Sequence, residues 1–433
     1  MRYYIIAGEA SGDLHGSNLM KGIYAEDPEA EIRFWGGDLM LGTWGMEKNR
    51  ATPLAAGVGA HEVGGVVFRP TPSAKANGLV RHYKEGAVMG FVEVLMKARR
   101  LLKNVSFCKE DILGWNPDVV ILIDYPGFNF KIAEFAHKAG FKVFYYIAPK
   151  VWASREGRIK KLKAYVDKLF IVFPFEKQYF DSKGIEYIYK GNPLVDAVDN
   201  SRAMNETRED FLQRNNLEDK PIIAMLAGSR KGEISTMMPV LTEFAAKMHS
   251  TAEYSGYQFI IAGAPSRTMS DYEKWLTDEN RKYITVLFGE TQSIIRNAEA
   301  GVINSGTASL ETALFGTPQV VGYITNLITY WIAKKIVKIR YISLGNLIVD
   351  RLAFKEFIQN DCNSDALVKE IRELIENQDR RSAMIAEYEE IRNLLGGAGA
   401  SAAVAKAMIE EMRKERESQP VDKQNKKLYH YER

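Results

Sequence analysis

The sequence predicts an α/β protein built from parallel sheets covered by helices. Short apolar runs alternate with helical stretches along its 433 residues, and several of these runs end in a polar, glycine-bearing turn that leads into a helix. The alternation stops at the polar stretch Asp199–Asp219 and begins again at Pro221. We therefore expect two Rossmann-like domains facing a central cleft, with ligand-binding turns at the carboxyl ends of their strands.

Composition and charge argue against several classes of protein. The apolar fraction of 46% is ordinary for a globular chain, and a formal charge of +3 without an arginine-rich run argues against nucleic-acid binding. The two cysteines, Cys108 and Cys362, are far apart, which suits a reducing compartment and argues against a disulfide framework or a thiolate metal site. Neither a signal-peptide pattern nor an apolar run near the ~20 residues of a membrane span is present, so we expect a soluble, cytoplasmic protein.

The strands predicted in the first half are apolar runs bounded by turn residues. They are Arg2–Ala7, Ile32–Trp35, Asn116–Asp124, Lys142–Ile147, Leu169–Val172 and Glu186–Lys190. A basic helix is predicted at Arg158–Tyr165. Ala51–Gly78 breaks this rhythm with many Gly, Ala and Pro residues, so we interpret it as an irregular insertion or mobile loop.

Two turns of the first half carry candidate catalytic groups. The turn after the first strand crowds Glu9, Ser11, Asp13 and His15 among glycines. A tight turn explains the glycines but not four polar groups, and the GxGxxG spacing of a dinucleotide-binding turn is absent. Asp124 ends the most apolar strand, where open α/β sheets bind ligands, although a strand-end Asp can also cap its own turn through Asx hydrogen bonds.

The second half supplies candidate phosphate-binding turns. Its predicted strands are Pro221–Ala227, Gln258–Ala262, Ile284–Phe288, Gly301–Ile303 and Gln319–Tyr323. Arg230 follows the first of these strands, where it could neutralise a diphosphate or be a solvated surface group. A second turn opens the helix predicted at Thr307–Phe315, whose first N–H groups suit a phosphate. Glu311, one turn into that helix, suits ribose hydroxyls, and a well-capped helix is the alternative explanation.

Helices account for most of the remaining chain. They are predicted at Asn326–Tyr341, from Phe354–Gln359 onward, and over most of Asp365–Met412. The expected domains are residues 1–198 with an insertion at 51–78, residues 199–385, and a C-terminal helix and charged tail at 386–433.

Met89–Ser106 is predicted to be an amphipathic helix with basic residues along its apolar stripe. Such a helix either packs on the sheet of its own domain or lies in a membrane surface. The candidate membrane-contacting side chains are Val92, Val94, Leu95, Leu101 and Leu102.

A set of ordered motifs carries a specific resemblance. In the first half they are AGEASGD (Ala7–Asp13), GG..M (Gly36–Met40), VMGFVEVL (Val88–Leu95), NPD...ID.P.FN (Asn116–Asn129), Y..P.VWA (Tyr146–Ala153), PFE..Y (Pro174–Tyr179) and GNPL (Gly191–Leu194). In the second half they are AGSR..E (Ala227–Glu233), SGTASLE (Ser305–Glu311), VVGY (Val320–Tyr323) and Y.SL.N (Tyr341–Asn346). Together they resemble the lipid-A-disaccharide synthase family, glycosyltransferases of GT-B architecture.

The resemblance implies transfer of 2,3-diacylglucosamine from its UDP donor to 2,3-diacylglucosamine 1-phosphate, with the donor on the second half and the acceptor on the first. Asp124 is the first choice for the general base, with Glu9, Asp13 and His15 as alternatives. The implied substrate contacts are Ser11, Arg230, Glu233, Ser305, Gly306, Thr307, Ala308, Glu311, Asn346 and Gln359. No cofactor or metal is implied, the acyl chains imply peripheral contact with the cytoplasmic face of the inner membrane, and a homodimer is compatible with the sequence.

The sequence departs from the family pattern at three positions. Gly127 stands where the family usually has Asp, Gly345 where it usually has Pro, and Ser154 where a second Trp is common. Two rival functions share much of the pattern. A UDP-sugar epimerase would keep the second-half motifs without a lipid acceptor, and a non-catalytic UDP-sugar-binding protein would need neither Asp124 nor the AGEASGD turn.

Overall fold

A seven-stranded parallel sheet forms the centre of the first part of the computed structural model. The structure describes residues 1–47, 61–63, 66–68, 77–86, 93–153, 156–304, 306–325 and 340–418; at 47, 61–63, 66–68, 85–86, 93–100 and 418 it describes only the backbone. Chain contacts divide the molecule into two units, Met1–Pro193 with Ala398–Arg433, and Leu194–Gly397.

The first unit contains strands β1 to β9. They are β1 Arg2–Ala7, β2 Glu31–Gly36, β3 His61–Val63, β4 Val66–Phe68, β5 Gly78–His82, β6 Val119–Ile123, β7 Lys142–Tyr146, β8 Lys168–Ile171 and β9 Ile188–Tyr189. The sheet order is β5-β2-β1-β6-β7-β8-β9, while β3 and β4 form a separate antiparallel ribbon. Because helices cover both faces of a parallel sheet, its central strands are continuous apolar runs rather than alternating ones.

The helices of the first unit include its last one, which returns from the far end of the chain. They are α1 Ala10–Glu26, α2 Asp38–Glu47, α3 Glu93–Trp115, α4 Pro126–Lys138, α5 Ile159–Tyr165 and α6 Pro174–Ser182, while α7 Pro193–Asp199 spans the unit boundary. The returning C-terminal helix packs on α1, where a Cβ on Gly22 would lie 2.8 Å from the Cβ of Ala405. Of the expected segment 386–433, the described helix Ala400–Ser418 thus belongs to the first unit, and the residues before Ala398 belong to the second.

The second unit has a six-stranded parallel sheet in the order β12-β11-β10-β13-β14-β15. Its strands are β10 Ile222–Leu226, β11 Gln258–Gly263, β12 Ile284–Phe288, β13 Ala300–Asn304, β14 Gln319–Tyr323 and β15 Glu356–Ile358. Its helices are α8 Arg202–Asn205, α9 Arg208–Arg214, α10 Lys231–His249, α11 Thr291–Asn297, α12 Thr307–Phe315, α13 Leu344–Val349, α14 Ser364–Glu376 and α15 Gln378–Leu395; the returning helix of the first unit, Ala400–Ser418, is α16.

Several element predictions are corrected by the structure. The helix predicted to start at Phe354–Gln359 is wrong, because Glu356–Ile358 pairs with β14 as a strand. Gly78 belongs to β5 rather than to the insertion, since β5 extends the sheet beside β2. Most of the helix predicted at Asn326–Tyr341 lies outside the described residues.

Helix α3 turns one face toward the core of the first unit. Val105, Cys108, Ile112 and Trp115 follow one another at spacings of three or four and are buried, and Leu101 packs against the same cluster. Leu101 is half-buried and packs on this core-facing stripe, so its membrane contact stays a prediction with only part of the side chain accessible.

Candidate active site

The first candidate site lies where the strand order of the first sheet reverses. Strands β1 and β6 are neighbours, with Ala7 opposite Ile123, and the chain leaves them toward opposite flanks of the sheet. Such a switch point opens a crevice at the carboxyl ends of the strands. The turns that follow β1 and β6 are in contact there, because a Cβ added to Gly8 would lie 2.2 Å from Cδ1 of the Tyr125 ring.

Asp124 occupies this switch point in a strained backbone conformation. Its φ is 42° and that of Tyr125 is 45°, so two successive side-chain-bearing residues adopt the left-handed region. Each such residue costs on the order of 1–3 kcal/mol and persists only where its surroundings enforce it. Strain of this kind is concentrated at functional sites.

The Asp124 carboxyl group has an environment suited to holding a proton. Burial raises its pKa above the ordinary value; Lys150 opposes that shift, and the carboxylate of Glu9 adds to it. Within the described residues, no side chain donates a hydrogen bond to this carboxylate. A general base is most effective when its pKa lies near the working pH, and a raised carboxyl pKa moves in that direction.

The other polar groups of the AGEASGD turn have different environments. Glu9 is exposed at the N-cap of α1, and Ser11 is exposed one residue inside that helix. Asp13 is buried and accepts hydrogen bonds from the backbone N–H groups of Gly37, Leu39 and Met40, at 2.7, 3.1 and 3.1 Å. These bonds satisfy backbone N–H groups at the start of α2. A structural role is therefore sufficient to explain Asp13 at this position.

His15 lies in α1 and is likewise buried. Of the alternative bases, Glu9 is therefore the one whose carboxylate is both exposed and electrostatically coupled to Asp124.

The second unit has its own switch point, between β10 and β13, where Leu226 lies opposite Ile303. Gly228 adopts a φ of 104°, and a Cβ there would lie 2.7 Å from the Cβ of Glu233. Asn304, at the end of β13, donates from Nδ2 to the carbonyl oxygen of Ala227 at 3.3 Å. The two glycine turns of this unit are therefore adjacent.

Arg230 and Glu233 are linked at the start of α10. The Arg230 guanidinium lies 2.8 Å from Oε1 of Glu233 and its side chain is 81% exposed. Oε2 of Glu233 accepts the backbone N–H groups of Ser229 and Arg230, so Glu233 caps the N-terminus of this helix. Glu233 thus shapes the turn, and its carboxylate would repel an anion placed directly on it.

The N-terminus of α12 presents backbone N–H groups beside these turns. Gly306 has a φ of 135°, Thr307 is exposed and Ala308 is half-buried, while Ser305 lies outside the described residues. Glu311, half-buried one turn later, accepts a hydrogen bond from Nε2 of Gln292 at 2.6 Å. Burial raises the pKa of Glu311, and the Gln292 bond opposes that shift.

The Asn346 side chain is used inside the protein rather than at a ligand site. Asn346 is fully buried; its Nδ2 donates to the Phe354 carbonyl and to Glu356, and its Oδ1 accepts the N–H groups of Ala353 and Phe354. Both donors and both acceptor positions are filled. The expected substrate contact through this amide is therefore corrected to a role in positioning β15 and the segment before it.

Gln359 also has a structural partner. Its Oε1 accepts the N–H of Thr325 at 2.7 Å and its Nε2 donates to the Thr325 carbonyl at 3.0 Å. This pair holds the end of β14, and it leaves one N–H and one lone pair of Gln359 for other contacts.

The candidate membrane surface is only partly described. Leu102 is 57% exposed on the solvent side of α3, in contrast to its inward-facing neighbour Leu101. Val92 lies outside the described residues, and Val94 and Leu95 lie where only the backbone is described. Within the described stretches, every helix is too short or too polar to cross a bilayer.

Comparison with known proteins identifies the family of this chain. A family model described as Lipid-A-disaccharide synthetase matches residues 61–409. Lipid-A-disaccharide synthase of Syntrophus aciditrophicus is 34% identical over 402 residues, covering 92% of this chain and 94% of that protein. The Coxiella burnetii protein of the same name is 32% identical and covers 93% of this chain and 96% of its own length.

The chain belongs to the lipid-A-disaccharide synthase family. It is therefore a glycosyltransferase of lipid A biosynthesis. Solved structures support the fold. The Staphylococcus aureus MnaA–UDP co-structure superposes with a TM-score of 0.63 at 13% identity, covering 95% of this chain and 97% of that one. Methanocaldococcus jannaschii UDP-GlcNAc 2-epimerase, in complex with UDP-GlcNAc and UDP, gives 0.62 at 15% identity, covering 95% and 100%.

Two departures from the lipid-A-disaccharide synthase pattern, Gly127 and Gly345, differ in the space around them. A Cβ on Gly127 would meet nothing within 4 Å, so packing does not require glycine there. A Cβ on Gly345 would lie 2.8 Å from the Phe354 ring, so the ring fills the space that a larger residue would need. Ser154 lies outside the described residues, as does most of the 51–78 insertion.

Three residues at the first site were missed from the sequence. Asn129 and Tyr145 hydrogen-bond the Asp124 backbone, and Lys150 acts electrostatically on the Asp124 carboxyl. Asn129 and Lys150 stand inside quoted family motifs, and Tyr145 lies in β7, one strand from Asp124. The alternation of side chains along β7 could have predicted the contact of Tyr145 with Asp124 only if the strand order had been known.

Proposed function

We propose that this chain transfers 2,3-diacylglucosamine from its UDP donor to 2,3-diacylglucosamine 1-phosphate, forming a β-1,6-linked disaccharide and UDP. Membership of the lipid-A-disaccharide synthase family supports this reaction. The observation that carries the assignment of roles is the division of chemistry between the units. A carboxyl group with a raised pKa lies at one switch point, and an exposed guanidinium and the N-terminus of α12 lie at the other.

The first unit would bind the acceptor and supply the base. Asp124 would accept the proton of the acceptor's 6-hydroxyl as that oxygen attacks C1 of the donor sugar from the side opposite the diphosphate. The C1–oxygen bond to the diphosphate breaks, its electron pair leaves with UDP, and configuration at C1 inverts. A positioned base contributes ~10²–10⁴-fold to such a step.

The second unit would bind the UDP part of the donor. The N–H groups of Gly306, Thr307 and Ala308 would face the diphosphate, and Arg230 would neutralise the charge that develops as UDP departs. Arg230 must leave Glu233 to do this. An ion pair so exposed contributes ~0–1 kcal/mol, so a diphosphate can displace it readily. Glu311 would accept hydrogen bonds from the ribose hydroxyls.

Peripheral membrane contact would bring the acylated substrates to the site. Leu102 projects from α3 next to the basic residue Lys103, and both are exposed. Each buried CH₂ of an acyl chain favours a bilayer by ~0.8 kcal/mol, so both substrates reside in the membrane. A protein that extracts them has reason to keep an apolar, basic helix face at that surface.

One assay tests the proposal directly. UDP release from the diacyl donor is measured with and without diacylglucosamine 1-phosphate, and the product is identified by mass. We expect release that depends on the acceptor, together with the disaccharide. Release that is independent of the acceptor, or none under conditions where the protein binds UDP, would contradict the transferase assignment and favour the epimerase or binding-protein alternative.

The donor site is tested with Arg230→Ala. We expect weaker UDP binding by calorimetry and lower turnover, because the guanidinium is proposed to contact the diphosphate before and during reaction. Arg281→Ala is the matched control, since Arg281 is also exposed in the second unit but precedes β12, at the amino edge of the sheet. Equal UDP affinity in the two variants would contradict the proposed contact between Arg230 and the UDP diphosphate.

A further inference from the structure

The backbone of Asp124 is held by two side chains that the proposed reaction does not otherwise use. Nδ2 of Asn129 donates to the carbonyl oxygens of Ile123 and Asp124, at 3.2 and 2.8 Å. The hydroxyl of Tyr145 donates to the same Asp124 carbonyl at 2.6 Å. The N–H of Asp124 donates to the Tyr146 carbonyl at 3.1 Å. The strand end is thus fixed from two sides.

The orientation of the Asn129 amide follows from its partners. Both neighbours are carbonyl oxygens, which only accept hydrogen bonds, so the NH₂ group and not the oxygen must face them. Asn129 and Tyr145 are both fully buried, so water does not compete for these bonds. Tyr145 stands on β7, the neighbour of β6, while Asn129 rises from the first turn of α4.

In this arrangement the Asp124 side chain has only a small part in bracing its own turn. The N-cap of α4 is Tyr125, and no side chain caps that helix. Asn129 and backbone bonds to the Tyr125 carbonyl hold the segment 123–130, and the Asp124 carboxyl adds a hydrogen bond from the backbone N–H of Tyr125. Most of the hydrogen bonds that brace this turn therefore come from groups other than the Asp124 carboxylate.

We infer that Asn129 and Tyr145 are positioning residues that hold Asp124 in its left-handed conformation and so aim its carboxylate at the acceptor hydroxyl. This inference rests on the proposed function, because it takes Asp124 to be the base. Two successive left-handed residues would relax toward extended or helical backbone if the enforcing bonds were lost. Such a relaxation rotates the direction of the Asp124 side chain, and displacement of a reacting group by about 1 Å lowers turnover by up to ~10²-fold.

The test is Tyr145→Phe, which keeps the ring and removes one donor to the Asp124 carbonyl. We expect kcat to fall about tenfold while KM for both substrates and UDP affinity change less than about twofold. Tyr3→Phe is the matched control: Tyr3 is also fully buried in the first sheet, and its hydroxyl donates to Asp27 at 3.0 Å near the amino edge. Tyr3→Phe should lower thermal stability about as much as Tyr145→Phe and leave kcat unchanged.

A double variant separates positioning from general damage. If Tyr145 acts through Asp124, Tyr145→Phe should reduce kcat of Asp124→Asn by less than about twofold, because the group to be aimed has already gone. A loss that multiplies in the double variant would overturn the inference, as would normal kcat in Tyr145→Phe. Asn129→Ala is the second probe, expected to lower kcat at least as much as Tyr145→Phe; if it fails to fold, the tyrosine variants decide.

The two failures are distinguishable. If wild-type protein forms no disaccharide, the proposed function is wrong. If the wild type forms disaccharide and Asp124→Asn is inactive while Tyr145→Phe has normal turnover, only the positioning inference is wrong.

Discussion

Asp124→Asn separates catalysis from structure, because the two would respond in opposite directions. Asn has the size of Asp and, like Asp, is among the residues that tolerate left-handed backbone, so φ of 42° can persist in the variant. The substitution removes only the proton acceptor. We expect turnover to fall ~10²–10⁴-fold, with UDP affinity preserved because the donor is proposed to bind the other unit.

The stability of the same variant follows from the raised pKa of Asp124. Burial is the main cause of that shift, so the folded protein pays to keep this carboxyl ionised. A carboxyl whose folded-state pKa is raised adds stability below its unfolded pKa, and that contribution disappears as pH rises through the folded pKa. A neutral Asn does not carry this penalty. At pH 7 we therefore expect the free energy of unfolding of Asp124→Asn to equal or exceed that of the wild type.

Turnover by UDP release and unfolding by denaturant titration, both at pH 7, measure the two effects. A variant that keeps more than about a tenth of normal turnover would move the base to another group, and Glu9 is then the first candidate. The Asx alternative predicts near-normal turnover in this variant, because Asn can make most of the same turn hydrogen bonds.

Two further predictions concern the first unit. Burial raises the pKa of Glu176 from 4.5 to about 7, so wild-type stability should fall by on the order of 3 kcal/mol as pH rises from 4.5 to about 7. Glu176→Gln should flatten that dependence in denaturant titrations, and parallel pH curves for the two proteins would contradict it. Leu102→Ser should reduce sedimentation with anionic vesicles without loss of cooperative unfolding. Leu352→Ser is the control: Leu352 is 58% exposed in the second unit, and its substitution should leave sedimentation unchanged. Equal vesicle binding by the two variants would contradict a membrane contact of Leu102.

The sequence predicted well those strands and helices whose ends are set by residues close to them in the chain. The predicted strand, helix and strand between Ala300 and Tyr323 agree closely with the structure. Their signals, a β-branched run, a glycine turn and the helix stop at Gly316, each act within a few residues. Gly316 has the left-handed φ of 78° expected of a helix terminator. The first-unit strand before Asp124 was equally clear, because a strand covered on both faces is apolar throughout.

Properties that depend on distant partners could not be predicted in this way. Leu101 and Leu102 are adjacent in one broad apolar stripe, and only the packing of α3 decides which of them faces the core. The family resemblance implied a substrate contact for Asn346, but its amide is filled by Ala353, Phe354 and Glu356. Three-residue β15 carries too little pattern to be told from the start of a helix, and its pairing with β14 decides its structure.

The two switch points use the left-handed backbone for different purposes. In the second unit the residues with positive φ are Gly228 and Gly306, which adopt it without strain. The N–H groups of Ser229 and Arg230 bond to Glu233, whereas the Gly306 turn opens a helix whose first backbone N–H groups can face an anion. A diphosphate needs only such groups, so side chains there would obstruct its approach. In the first unit Asp124 and Tyr125 adopt the same region despite the steric cost. Proton transfer needs a side chain, and glycine cannot supply one. This requirement explains why strain is retained at the proposed base, where buried hydrogen bonds enforce it, and is absent from the proposed diphosphate site.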